Sequence, residues 1–259
     1  MLLDRFPEFV EGRAATEDEV LRVHTPEMLE LLRSIARPTQ LELNTVASES
    51  SFAAALLAAG TAIEAARGGG FALVRPPGHH APPGEAYGFC LLNNIAIAAR
   101  ALQAEGVRRL AIVDFDVHHG NGTQDVFWDD DSVLFASMHQ FGIFPGSGHA
   151  EEQRETTVNV PMRAGLGDAE WLGAFDTYVA PAVREFEPDV LLVSAGFDAH
   201  EEEELYLVDQ RLSDDGFREL ARRCASLAPR VAAVLEGGYN LDALPRAVAA
   251  ALEGFEGAA

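Results

Sequence analysis

The stretch LAIVDFDVHHGNG, residues 110–122, decides how this chain is read. Leu110 to Val113 form a continuous apolar run, the mark of a strand covered on both faces. Side chains on a strand alternate, so Asp114, Asp116 and His118 are expected on one face and Phe115 and Val117 on the other. Two carboxylates at a dry strand end repel each other and lose their hydration, so a cation or a set of strong donors must meet them. Arg108 and Arg109 stand at the other end of the strand, and no lysine or arginine follows before Arg154 to do so.

The rest of the chain sets the limits. With 259 residues and 48% hydrophobic content, it can bury one large core or two small ones. No apolar run approaches the roughly 18 residues of a membrane span, so no membrane partner is expected. The N-terminus, MLLDRFPEFVEGR, is interrupted by Asp4, Arg5, Glu8 and Glu11 and does not read as a secretory signal. Cys90 and Cys224 stand far apart in apolar surroundings, as reduced core cysteines of a cytoplasmic protein would. A formal net charge of −22 argues against nucleic acid as a direct partner and suits a cationic small molecule or peptide.

No repeat, low-complexity tract or linker divides the chain, so residues 1–259 read as one domain. Thr16 with Glu19 makes a capping box, and Thr25-Pro26 starts a helix expected to run through Ala36. Further helices fit 51–67, 93–104, 168–186, 214–227 and 241–253. Short apolar runs separate them: FALV at 71, LAIVDF at 110, VLFASM at 133, VNV at 158, VLLVSA at 190 and VAAVLE at 231. Helices alternating with buried strands predict an α/β fold with a mainly parallel sheet covered on both faces.

Nearly every one of these strands runs into a polar cluster. FALV leads to Arg75 and His79-His80, LAIVDF to Asp116 and His118, VLFASM to His139, VLLVSAGF to Asp198, and VAAVLEGG to Tyr239. Open α/β sheets place their ligands beyond the carboxyl ends of the strands, so these residues should converge. Asp116, His118 and Asp198 offer three protein ligands and leave room for water and substrate, the open arrangement of a catalytic zinc site. His79 and His80 follow RPPG, a rigid loop suited to holding imidazoles for proton transfer.

The blocks RPPGHHA…GFCLLNN, DFDVHHGNGTQ, SAGFDAH and LEGGYNL resemble the signatures of the zinc-dependent histone deacetylase and acetylpolyamine amidohydrolase family, its class II type and bacterial relatives above all. The resemblance runs from about Arg13 to Leu252. It implies an arginase-like α/β domain with one zinc per chain held by Asp116, His118 and Asp198. It makes His79 and His80 the tandem catalytic histidines and Tyr239 the residue that polarises the amide carbonyl. Phe89 and Phe144 match the aromatic walls of an acyl-lysine tunnel. Asp114, Asp116, His118, Ser137 and Met138 match a buried monovalent cation site, usually potassium. Asp114 would also support His79, and His80 would have Asn121 where class I members carry aspartate. The implied substrates are an acylated lysine in a peptide or protein, or an acetylated polyamine; the resemblance leaves a homo-oligomer open.

The chain departs from the family pattern in two places. The family usually has an extra first strand and a histidine- and arginine-rich loop, whereas this chain starts at MLLDRFPEF and is abbreviated around Pro38 to Asn44, leaving one wall of the entrance thin or missing unless a partner subunit supplies it. After Asp198, where relatives commonly read Asp-Pro-Leu, it reads HEEEELYLVDQRL with an apparent insertion. Leu205 then takes the gatekeeper position, with Leu207 the alternative; an apolar gatekeeper favours acyl-lysine over acetylpolyamine. Glu201 to Glu204 read either as a solvated face or as a lure for the cationic flanks of a peptide. An arginase-like binuclear manganese site would need a second bridging carboxylate where this chain has His119-Gly120. A metal-dependent acyl sensor without turnover is a further reading, disfavoured by Tyr239.

Overall fold

The alternation seen at 110–117 extends across a six-stranded sheet. The structure is a computed structural model that describes Arg5, Phe6 and residues 8–257. Met1 to Asp4, Pro7 and the two C-terminal alanines lie outside the described residues, and with them the outer limits of the expected 1–259 domain. Strands β3 (Phe71–Ala72), β4 (Leu110–Asp114), β5 (Val133–Gln140), β6 (Thr157–Met162), β8 (Val190–Ala195) and β10 (Val231–Leu235) lie in the order β3-β10-β8-β4-β5-β6. Every neighbouring pair is parallel. A second parallel pair, β7 (Leu166–Gly167) with β9 (Gln210–Arg211), stands apart from this sheet.

Successive residues feed opposite faces of the sheet. Leu110, Ile112, Phe135, Leu192 and Val234 pack into one core with helices 26–33, 51–68 and 94–104. Ala111, Val113, Leu134, Leu191, Val193 and Leu235 pack into the other with Trp171, Phe175, Val183, Phe217, Leu220 and Val248. Strands β4, β5 and β8 are buried along their whole length, which is why each opens on an apolar run, Leu110–Val113, Val133–Ala136 and Val190–Val193. Truncating one such residue, Ile112→Ala for example, would cost about 2–5 kcal/mol through lost contacts and the cavity left behind.

The expected elements are present, with corrections at their ends. The capping box Thr16/Glu19 is formed. The helix expected to reach Ala36 stops at Arg33, where the Ser34 hydroxyl donates to the Leu31 carbonyl. The segment expected as one helix over 168–186 is α-helical at Asp168–Ala174 and Ala180–Phe186 but widens to a π-helix over Phe175–Val179. Pro181 lies just beyond, with no N–H to give to a regular ladder. The abbreviated segment after Pro38 forms a hairpin of β1 (Thr39–Glu42) and β2 (Thr45–Ala47). No helix among the described residues is long and apolar enough to cross a membrane.

Candidate active site

Sheet pairing of β4 ends at Asp114, opposite Ser137 on β5 and Ser194 on β8. Beyond that point carboxylates take over the backbone donors. Asp114 Oδ1 accepts the Asp116 N–H at 3.0 Å, and Asp116 Oδ1 accepts the His118 N–H at 2.9 Å. Asp198 Oδ1 accepts the Val117 N–H at 3.0 Å, and Asp116 Oδ2 accepts the Gly237 N–H at 2.7 Å. The acidic side chains therefore shape the turn that presents them.

Asp116, His118 and Asp198 each offer one ligand atom, and the three atoms lie within 4.8 Å of one another. His118 Nδ1 stands 3.1 Å from both Asp116 Oδ1 and Asp198 Oδ2. Both carboxylates are fully buried, while the imidazole keeps slight exposure. The backbone crowds this cluster: a Cβ on Gly237 would come within 2.2 Å of Asp198 Oδ2, and one on Gly196 within 2.1 Å of Asp116 Oδ2. Burial alone would depress the His118 pKa, but the two carboxylates outweigh it and hold the group well above its ordinary value. A buried cluster with this demand for positive charge, and this oxygen and nitrogen donor set, fits a divalent transition metal such as zinc.

The His79-His80 loop is gripped from below. Gly78 N–H and His79 N–H both donate to Glu236 Oε2, at 2.7 and 3.2 Å. The Asn94 side chain donates to the Pro76 carbonyl at 3.0 Å, and that of Asn93 to Ala81 at 3.2 Å. His79 Nδ1 faces Asp114 Oδ2 at 2.9 Å, and its Nε2 lies 3.8 Å from Asp116 Oδ1. His80 Nδ1 donates to Asn121 Oδ1 at 2.8 Å, which leaves Nε2 as its free lone pair. The two environments split the pair. Burial pulls His79 down, but Asp116 and Asp114 raise it well above its ordinary value. His80 is pushed well below by burial and by the neighbouring charges of His79 and His118.

Aromatic side chains stand over these groups. The Phe144 ring packs edge-on against His80 with centroids 4.9 Å apart and stacks on Tyr87 at 5.0 Å. Phe89, half exposed, meets the Tyr239 ring with centroids 5.8 Å apart, and the Arg75 guanidinium lies over that ring 5.4 Å from its centroid. The Tyr239 phenol is raised by burial, then by the charges of Asp198 and Asp116, so it stays protonated. Phe89 N–H donates to Thr45 Oγ1 at 3.0 Å, which brings the β1–β2 hairpin to the rim beside Phe89, where a thin wall was expected.

Other expected residues lie less directly in the site. Both oxygens of Asp114 are engaged, by Asp116 N–H and by His79. The Ser137 hydroxyl is bonded to His139 Nδ1 at 2.9 Å, and the Met138 side chain is buried in a core. Leu205 is half-buried and Leu207 exposed, in a loop tied to the end of β5 where the Gln140 side chain donates to the Leu207 carbonyl at 2.8 Å. His119, next to His118 in the chain, turns instead to Ser147 and Gln124. Glu236 went unassigned in the sequence, although a charged residue closing the apolar run VAAVLE was the same signal that marked Asp114. Fully buried, it is pushed up to about 7 by burial against the pull of His79.

The sequence profile of the histone deacetylase domain matches residues 2–255. The chain belongs to the histone deacetylase family. It is 39% identical over 93% of its length to a probable deacetylase of Archaeoglobus fulgidus, 73% of which it spans. It is 39% identical over 90% of its length to histone deacetylase HDA1 of Saccharomyces cerevisiae, of which it spans 37%. A crystal structure of the HDA15 HD domain superposes with a TM-score of 0.91 and 37% identity, covering 96% of this chain and 75% of the other. The fold is thus the arginase/deacetylase fold in a single domain, and the domain is that of a deacetylase, a hydrolase.

Proposed function

We propose that this histone deacetylase domain, spanning 1–259, removes acetyl or other acyl groups from the side-chain amine of lysine in a peptide or protein, with one zinc ion held by Asp116, His118 and Asp198. The observation that carries this reading is the buried convergence of those three donors within 4.8 Å, beside two histidines with unlike partners. Zinc in that position supplies Lewis acidity to the amide carbonyl and to the attacking water. His80, whose Nδ1–H is committed to Asn121, presents Nε2 as the base that takes the water proton. His79, backed by Asp114, holds the proton that the departing amine needs. The Tyr239 hydroxyl donates to the oxygen on which negative charge develops. Phe144 and Phe89 flank the aliphatic stem of the substrate lysine.

A potassium ion bound by Asp114, Asp116, His118, Ser137 and Met138 belongs to the same reading. It is supported by the register that sets Asp114 opposite Ser137. Acetylated polyamine is the competing substrate, and apolar Leu205 favours acyl-lysine. The sequence contains no lysine, so the chain offers its own site no acylated lysine side chain. Tyr239→Phe removes one donor without touching a metal ligand. It should keep its metal and lose roughly 10²–10³ in kcat on an acetyl-lysine peptide, as the loss of one oxyanion donor does. Near-normal turnover in that variant would overturn the role of Tyr239. A panel including acetylated spermidine and longer acyl-lysines would decide the substrate class.

A further inference from the structure

The four glutamates after Asp198 do not share one fate, and the expectation of a uniform solvated or substrate-luring run is corrected. Glu201 and Glu204 are exposed. Glu202 is paired with Arg246, which also reaches Asp214 at 3.2 Å. Glu203 turns inward and is half-buried. Its Oε2 accepts the backbone N–H of Tyr239 at 2.7 Å and that of Asn240 at 3.1 Å. Its Oε1 accepts the Glu204 N–H at 3.1 Å.

The loop that receives this carboxylate is held at each step by a side chain from elsewhere. Arg75 donates to the carbonyls of Glu236 and Gly238, the latter at 2.8 Å. Asp116 takes the Gly237 N–H at 2.7 Å. Gly238 turns the chain through a φ of +117°, open to glycine but strained for other residues. After that turn, the amides at the root of the Tyr239 side chain are fixed by Glu203. A charged acceptor shared by two N–H groups holds them more firmly than a neutral one.

We infer that Glu203 is a positioning residue for Tyr239: by fixing the two amides beneath the phenol, it sets where the hydroxyl stands over the Asp116, His118 and Asp198 cluster. The inference rests on the reading of Tyr239 as the oxyanion donor. Misplacement of a reacting group by about 1 Å can cost 10²-fold, so the contact acts on turnover more than on substrate binding.

The test uses the metal-loaded protein with a lysine-rich acetylated peptide and a neutral acetyl-lysine amide. Glu203→Ala should lower kcat about 10- to 100-fold on both substrates, with little change in KM and full metal content. Glu203→Gln keeps an oxygen acceptor of the same reach and should recover most of kcat; Glu203→Asp, one methylene shorter, should not. The double variant Glu203→Ala/Tyr239→Phe should be no slower than Tyr239→Phe alone, because Glu203 acts through that hydroxyl. Wild-type kcat in Glu203→Ala beside a slow Tyr239→Phe would overturn the inference and leave the reading of Tyr239 standing. A fast Tyr239→Phe would instead overturn that reading, and the inference with it. Multiplied losses in the double variant, or a Glu203→Gln as slow as Glu203→Ala, would also overturn it. Should Glu203→Ala fail to fold, the Gln and Asp variants decide: equal rates sink the inference, and a fast Gln with a slow Asp supports it.

Discussion

Two groups of histidines stand inside this molecule, and their partners set them apart. His79 and His118 touch carboxylates and are held well above the ordinary imidazole value. His24 and His139 are pushed down to about 4, and His119 to about 3; burial is the largest cause in each. Their partners are mostly neutral: His24 lies between the Pro83 carbonyl and the Asn93 N–H, His139 between Ser137 and the Gly148 carbonyl. A carboxylate contact separates the raised pair from the lowered three, and His80, which faces Asn121 instead, is lowered although it stands beside the triad.

The largest effect should come from breaking the carboxylate group. His118→Ala or Asp198→Ala should lose both bound zinc and activity, while His139→Gln should keep its metal; elemental analysis of the purified variants checks it. Full occupancy in either ligand variant would end the assignment. A smaller effect comes from moving a histidine between groups. Asn121→Asp places a carboxylate on His80 Nδ1, stabilises the imidazolium and leaves less free base at low pH. The acid limb of kcat/KM should therefore move up by about one pH unit or more; an unmoved limb would take His80 out of the base role.

The smallest effect is on stability. His24 has a folded pKa of about 4, below its unfolded value. Its contribution is complete above about pH 6.5 and lost as pH falls towards 4, because only the unfolded chain takes up the proton in that window. The slope is about 1.4 kcal/mol per pH unit. Denaturant unfolding from pH 7 to 4 should show His24→Gln with a shallower acid decline than wild type. Parallel curves would place the acid sensitivity elsewhere.

Much of the site was legible because polar residues at the ends of apolar strands violate the ordinary pattern of burial, and a strand's two-residue period then says which of them share a face. Asp114, Asp116 and Asp198 were visible for that reason. The β1–β2 hairpin was not, since TQLE and TVA are short and half-exposed. The helix Asn121–Phe127 was missed as well: it begins among glycines without a side-chain cap. The inward turn of Glu203 has no local signature, and the strand-end position of Glu236 marks the residue but not its grip on the His79 loop. Both depend on backbone donors brought from far along the chain, and a tertiary contact of that kind leaves no period to read.

The adjacency of β4 and β8 carries one more consequence. These fully buried neighbours at the middle of the sheet deliver Asp116 and His118 on one side and Asp198 on the other. Amides in such central strands exchange with solvent only through the highest-energy openings of a fold, whereas loops and edges exchange through cheap local ones. The donor triad is therefore wired to the slowest-exchanging part of the protein. Fraying of the rim hairpin or the Leu205 loop would alter access and leave the triad assembled. Its dispersal would coincide with deuterium uptake along β4 and β8, as one cooperative event.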